Sequence, residues 1–181
     1  MPYGKPHDRI EVTVLSSSTT HSLVPVDPAA FRRACARFAT GITVSTVSGE
    51  DGTPYGITAN SFTSVSCAPP LVLICIDHRA TGLHHFRGSS AFAINVLDES
   101  QRDHSVRFSQ RKSDRFEGIA WRMSDAGLPL LDGVIAQLEC WVRQTLDAGD
   151  HTIFIGEVFR VWHRDGPPLL YYASEYRGLR D

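Results

Sequence analysis

The sequence predicts a mainly β, barrel-like domain with a few short peripheral helices, and three features carry that expectation. Two long stretches of strand character, roughly 134–146 and 152–163, face each other across the turn sequence DAGDH. The short apolar run LVLICI (71–76) reads as a strand covered on both faces. The helical stretches are too few, and too irregularly placed between strands, for a doubly wound sheet.

Taken in order, residues 1–25 are rich in Ser, Thr and Pro without sustained periodicity. They are expected to form a flexible N-terminal arm, in which EVTVL (11–15) could add an edge strand; the domain is expected over 26–181. Asp27 is a good N-cap and Pro28 suits the first helical position. Phe31, Ala34, Cys35 and Phe38 then recur at helical spacing, giving an amphipathic helix that ends by Gly41. ITVSTV (42–47), the turn cluster GEDGTP and YGITA (55–59) follow as a strand, a turn and a second strand. After LVLICI come a short helix over 80–87, the strand FAINVL (92–97) and a polar helix over 99–116 that ends in a DRF corner. Gly-Pro-Pro introduces a last strand, LLYY (169–172).

Composition excludes several classes of function. With 42% hydrophobic and 21% charged residues the chain can bury a core, and a net charge of −2 provides no bulk field for nucleic acid or an anionic membrane. No apolar run approaches the about 20 residues that cross a bilayer. The first residues lack the apolar centre of a signal peptide, so a cytoplasmic protein is expected. Cys35, Cys67, Cys75 and Cys140 are widely spaced and expected to be reduced. His84 and His85 are adjacent, hence about 100° apart on a helix, and no metal site is expected.

Three segments have side chains suited to chemistry. Six of the nine residues from Thr58 to Ser66 are small hydroxyl or amide side chains, and the Pro69-Pro70 corner and a buried strand follow. Such a run suits a planar, polar, phosphate-bearing ligand. A flavin ring needs hydrogen bonds along one edge, and backbone N–H groups with Asn60, Ser61 and Ser66 supply them without charge. The alternative is a Ser/Thr turn whose hydroxyls satisfy their own backbone. The second segment is Gly149-Asp150-His151-Thr152, where an imidazole at a strand start could stack on or hydrogen-bond a second ring; the alternative is a plain hairpin turn with an exposed histidine. The third is QRDHSVRFSQRKSDRF (101–116): Arg107 and Arg111 at i, i+4 could grip one phosphate, or the helix has a solvated charged face.

Between Asp27 and Leu179 the chain resembles the flavin reductase-like family. The likeness runs through ATGITVST (39–46), DGTPYGITANSFTSVSCAPPLVLICID (51–77), FAINVLDESQ (92–101), RFSQRKSDRFEGIAW (107–121), LPLLDG (128–133), AGDHTIFIGEV (148–158) and PLLYYASEYRGL (168–179). The resemblance implies a homodimeric, FMN-binding split barrel that uses FMN or FAD with NADH or NADPH. A hydride would pass to flavin N5, and reduced flavin would leave for a partner monooxygenase. By position it implies that Thr58, Ala59, Asn60, Ser61, Val65 and Ser66 line the flavin, with Asn95 nearby. It further implies that His151 meets the nicotinamide and that Tyr176 closes the pocket. In DHRATGL (77–83), Ala80 and Gly82 stand where the family carries hydroxyls, leaving Arg79 and Thr81 for the phosphate. Two other readings use the same pocket: a non-catalytic flavin-binding protein and a flavin oxidase of the pyridoxamine-phosphate oxidase type.

Overall fold

The computed structural model describes residues 25–111 and 114–179, so the expected N-terminal arm, apart from residue 25, and Lys112 lie outside the described residues. The chain opens with α1 (Pro28–Cys35), whose cap is the one expected: the Asp27 carboxylate accepts from Ala29 N and Ala30 N at 3.1 and 3.0 Å. The apolar stripe of this amphipathic helix is not covered by the rest of the described chain: no residue of α1 is buried, and Phe31 and, beyond the helix, Phe38 are 61% and 77% exposed.

The strands are β1 (Thr40–Gly41), β2 (Thr43–Ser48), β3 (Pro54–Ala59), β4 (Thr63–Cys67) and β5 (Pro70–Asp77). Then come α2 (Leu83–Gly88), β6 (Ala91–Val96), a 3-10 turn at Glu99–Gln101 and α3 (Arg102–Ser109). The chain ends with β7 (Trp121–Met123), β8 (Pro129–Leu131), β9 (Ala136–Ala148), β10 (His151–His163), β11 (Leu170–Tyr172) and β12 (Glu175–Arg177). The polar helix expected over 99–116 stops at Ser109, and Gln110 is already extended at φ −79°, ψ 156°. Phe108 is its last buried residue; from there to Phe116 the segment has no apolar side chain to hold another turn against the core.

Seven strands form one antiparallel sheet in the order β3-β2-β6-β9-β10-β5-β4. The two outer strands, β3 and β4, are consecutive in the chain and joined by residues 60–62 alone. Laid flat, six inter-strand gaps of about 4.8 Å would put them almost 30 Å apart. Three linking residues reach only about 14 Å. The sheet must therefore curl until its ends meet, and no ladder pairs β3 with β4. The result is a barrel split along that seam.

Ile74, Ile76, Phe92, Ile94 and Phe154 fill the barrel interior, and Val44, Leu97, Phe108, Leu131 and Val134 form a second cluster under α3. A Cβ on Gly56 would come within 2.6 Å of the Phe108 ring, so glycine there lets α3 lie on β3. β5 is not covered on both faces: Val72, Ile74 and Ile76 point inward, while Leu71, Leu73 and Cys75 are half-exposed on the outside. The apolar run encodes an outer face that this chain does not itself cover.

Candidate functional site

Most hydroxyls of the 58–66 segment are already engaged. Thr58 donates to the Ser105 carbonyl at 2.6 Å, and the Ser105 hydroxyl lies 2.9 Å from the Tyr176 phenol. These bonds tie the end of β3 to α3 and to the β11–β12 hairpin. Ser61 accepts from Cys75 N at 2.9 Å and donates to Cys75 O at 3.1 Å, continuing the β4–β5 ladder past Thr63↔Leu73 with a side chain in place of a backbone pair. Ser66 accepts from Ala68 N at 3.2 Å at the corner before Pro69. The Ala59 carbonyl takes the Thr43 hydroxyl at 2.8 Å. Asn60 and Val65 stand exposed at the rim. The Ser/Thr-turn alternative therefore describes Ser66 alone; Thr58 and Ser61 are engaged by the backbone of distant residues, and the segment leaves Asn60 and its backbone to a ligand.

Beside the seam a cavity of about 520 Å³ opens between β3, the start of α2 and the loop after α3. Arg115 forms its base. The residue is 8% exposed; Nη1 donates to Gly56 O at 2.6 Å, Nη2 donates to the Thr81 hydroxyl at 2.7 Å, and Nε is buried without a partner. Arg111, His84 and His85 also line the cavity, and among the described residues no carboxylate does. Burial pulls the Arg115 guanidinium below its ordinary pKa, since a buried cation without a counter-ion is costly. Two arginines facing a cavity that no carboxylate lines among the described residues make a candidate anion site.

Arg115 is not among the residues that the sequence singles out, and Arg79 and Arg107, which are, lie elsewhere. Arg79 is 74% exposed and gives its guanidinium to Asp77, at 2.7 and 3.1 Å, away from Thr81. Arg107 donates to Asp114 O at 3.0 Å and lines a different cavity, with Asp103 and His104. Because α3 ends at Ser109, Arg107 and Arg111 do not share a face. The signal for Arg115 was the phenylalanine after it. Phe116 packs edge-on against Phe108 at 4.9 Å and Trp121 at 5.4 Å, and that anchor draws its neighbour out of solvent. Asn95 also needs correction, as it is 0% exposed and out of a ligand's reach. Its amide N–H donates to Val44 O at 3.1 Å, and its oxygen accepts from Leu131 N at 2.9 Å and Gln137 Nε2 at 3.3 Å, a joint inside the core. Tyr176 lines a shallow cavity with Glu99 and Arg102 and reaches Thr58 only through Ser105.

His151 begins β10 after the two-residue loop Gly149–Asp150, of which only Gly149 has positive φ (+62°), the pattern of a II′ turn. It stands opposite Asp77 on the outer face, two residues beyond the Ile153↔Cys75 pair that Ser61 clips, and so shares one rim with Asn60 and Ser61. Its Nδ1 lies 2.6 Å from Asp150 Oδ1, which assigns the proton to Nδ1 and leaves Nε2 to a ligand. Around it every acid has a cation or hydroxyl. Asp147 accepts from Arg87 at 2.6 Å and Thr152 at 2.7 Å and contacts His78 at 3.3 Å. The Thr152 hydroxyl, first, and Arg87 hold Asp147 below the ordinary carboxylate range; Arg79 does the same to Asp77, and His151 to Asp150.

Comparisons with known proteins identify the family of the chain. A family model described as the flavin reductase like domain matches residues 35–180. The chain is 44% identical over 145 residues to the reductase component of a flavin-dependent trigonelline monooxygenase of Acinetobacter baylyi, covering 80% of this chain and 47% of that protein. It is 40% identical over 167 residues to the FMN reductase (NADH) SmoA of Agrobacterium fabrum, covering 91% and 95% of the two chains. The NADH:FAD oxidoreductase SgcE6 of Streptomyces globisporus, solved with NAD and FAD fragments, superposes with TM-score 0.81 at 37% identity, over 87% of this chain and 98% of that one. The chain thus spans about half the length of some curated relatives, the trigonelline component among them, and nearly all of others. Among the described residues no helix is long and apolar enough to cross a membrane.

Proposed function

This chain belongs to the flavin reductase like domain family, and from that membership we propose that it is a NADH-dependent flavin reductase whose reduced flavin serves a partner monooxygenase. The observation that carries the proposal is the cavity over Arg115, which among the described residues no carboxylate lines: a guanidinium that holds the Thr81 hydroxyl, with Arg111 beside it, fits the phosphate of a flavin nucleotide. Bound flavin would supply the hydride acceptor, and the protein supplies binding and orientation. Thr81, Arg115 and Arg111 hold the phosphate end; Asn60 and the backbone of 58–66 border the ring. His151, fixed by Asp150, presents Nε2 to the nicotinamide, and holding the two rings about 3–3.5 Å apart is the chief contribution to rate.

A homodimer belongs to the same proposal. The stripe of α1, the half-exposed Leu71 and Leu73 on β5 and the 48%-exposed Val65 on β4 form apolar surface that a second copy would cover. Four unbridged cysteines support a cytoplasmic setting. The deciding experiment is steady-state oxidation of NADH with and without added FMN or FAD. Oxidation that depends on added flavin supports the reductase. Flavin held tightly without turnover would make the chain a flavin-binding protein instead.

A further inference from the structure

The cavity over Arg115 is also lined by the rings of Tyr55, His84 and His85. Tyr55 and His85 stack with centroids 3.2 Å apart and planes 18° apart, and His84 lies 3.8 Å beyond His85, tilted 42°. All three border both the 520 Å³ cavity and an adjoining one of about 420 Å³, so the ladder stands between the two. Its position relative to the anion site is set twice by the chain. Tyr55 precedes Gly56, whose carbonyl Arg115 holds, and His84 and His85 follow Thr81 by one helical turn. Burial, and then neighbouring His84, push the His85 pKa down, so near neutral pH that ring offers an aromatic face and not a further charge. His84 is the exposed outer rung.

We propose that Tyr55, His85 and His84 are the purine platform of this cavity, and that the chain is built to prefer FAD over FMN. This rests on the flavin reading above and names which flavin. FAD supplies a pyrophosphate for Arg115 and Arg111 and an adenine to extend the ring ladder; FMN ends at its phosphate and leaves the ring-lined half without a partner. Base-on-ring stacking is tolerant of the ring's identity, so histidine and tyrosine serve as well as larger aromatics.

The test is a fluorescence titration of the full chain with FAD and FMN in the absence of NADH. Wild type is expected to bind FAD at least about tenfold more tightly than FMN, the order of one base-on-ring stack. The double change His84→Ala, His85→Ala should reduce that ratio by about tenfold, and His85→Phe should keep it. A wild type that binds FMN as tightly as FAD, or a double variant that weakens both flavins equally, would overturn the proposal. ADP and inorganic pyrophosphate test it without any variant: ADP should displace FAD at roughly a tenth of the concentration pyrophosphate needs, and equal potency would remove the ring platform. If NADH oxidation is absent with both flavins, the reductase proposal fails alone, and the binding ratio still decides this one.

Discussion

The tip of the β9–β10 hairpin and the cavity beside the barrel seam treat charge in opposite ways. At the tip, Asp77, Asp147 and Asp150 each meet Arg79, Arg87, His78 or His151, and the network closes on itself. In the cavity, Arg111 and Arg115 meet no carboxylate among the described residues, and there one N–H of Arg115 has no partner. A closed network needs no ligand and makes a scaffold: it holds the His151 ring. An open one costs stability until an anion arrives. Buried charge left unmatched by its own chain is therefore a sharper pointer to a ligand than the number of charges, since the tip has more of them.

Removing the unmatched cation should have the largest effect. Arg115→Met is expected to weaken flavin binding about 100-fold, the loss of charge-assisted hydrogen bonds in a buried site. The same change should leave the flavin-free melting temperature unchanged or higher, because a desolvated charge is removed with it. A parallel loss of melting temperature and affinity would make Arg115 a structural residue. Next comes His151→Ala, expected to lower kcat/KM for NADH about tenfold while the flavin dissociation constant moves less than about twofold. Equal NADH kinetics in the variant would remove the nicotinamide contact.

The closed network has its own signature in pH. Asp147 is held below its ordinary value when folded, so it binds a proton more weakly there than in the unfolded chain. Its stabilisation is then full above about pH 4 and is lost as pH falls through the depressed folded value. The melting difference between wild type and Asp147→Asn should be constant from pH 7 to about pH 5 and shrink toward zero below about pH 4. A difference that already declines between pH 7 and pH 5, where Asp147 is fully ionised, would refute its part in holding the tip. The smallest effect is expected from Arg79→Ala: that exposed pair should change flavin affinity less than about threefold and melting little. A loss as large as that of Arg115→Met would return the phosphate to Arg79.

Much of the fold was legible because its signals are local. Asp27-Pro28 caps α1 as read, and the alternation and turn at DAGDH yield the β9–β10 hairpin. The flavin segment was legible as a place and less so as chemistry. Thr58, Ser61 and Ser66 look like donors to a ligand, yet each bonds a backbone atom, that of Ser105 and that of Cys75 being supplied by distant strands and helices. Asn95 sits in a strand of the right likeness, but which face of β6 is internal depends on the β2 and β9 partners. Arg107 and Arg111 are four apart in sequence, and only the end of α3 separates them.

The sequence by itself determined what repeats or caps at short range: the β-rich architecture, the α1 start, the Gly149–Asp150 turn that sets His151 at a strand start, and the family likeness. Tertiary structure decided which polar groups are left over. Whether a hydroxyl or guanidinium is free depends on the partners that folding brings to it from 34 or 59 residues away, as Thr81 and Gly56 are brought to Arg115. Burial then sets the cost of leaving that cation unmatched, and burial is a property of the closed seam, not of any segment beside it.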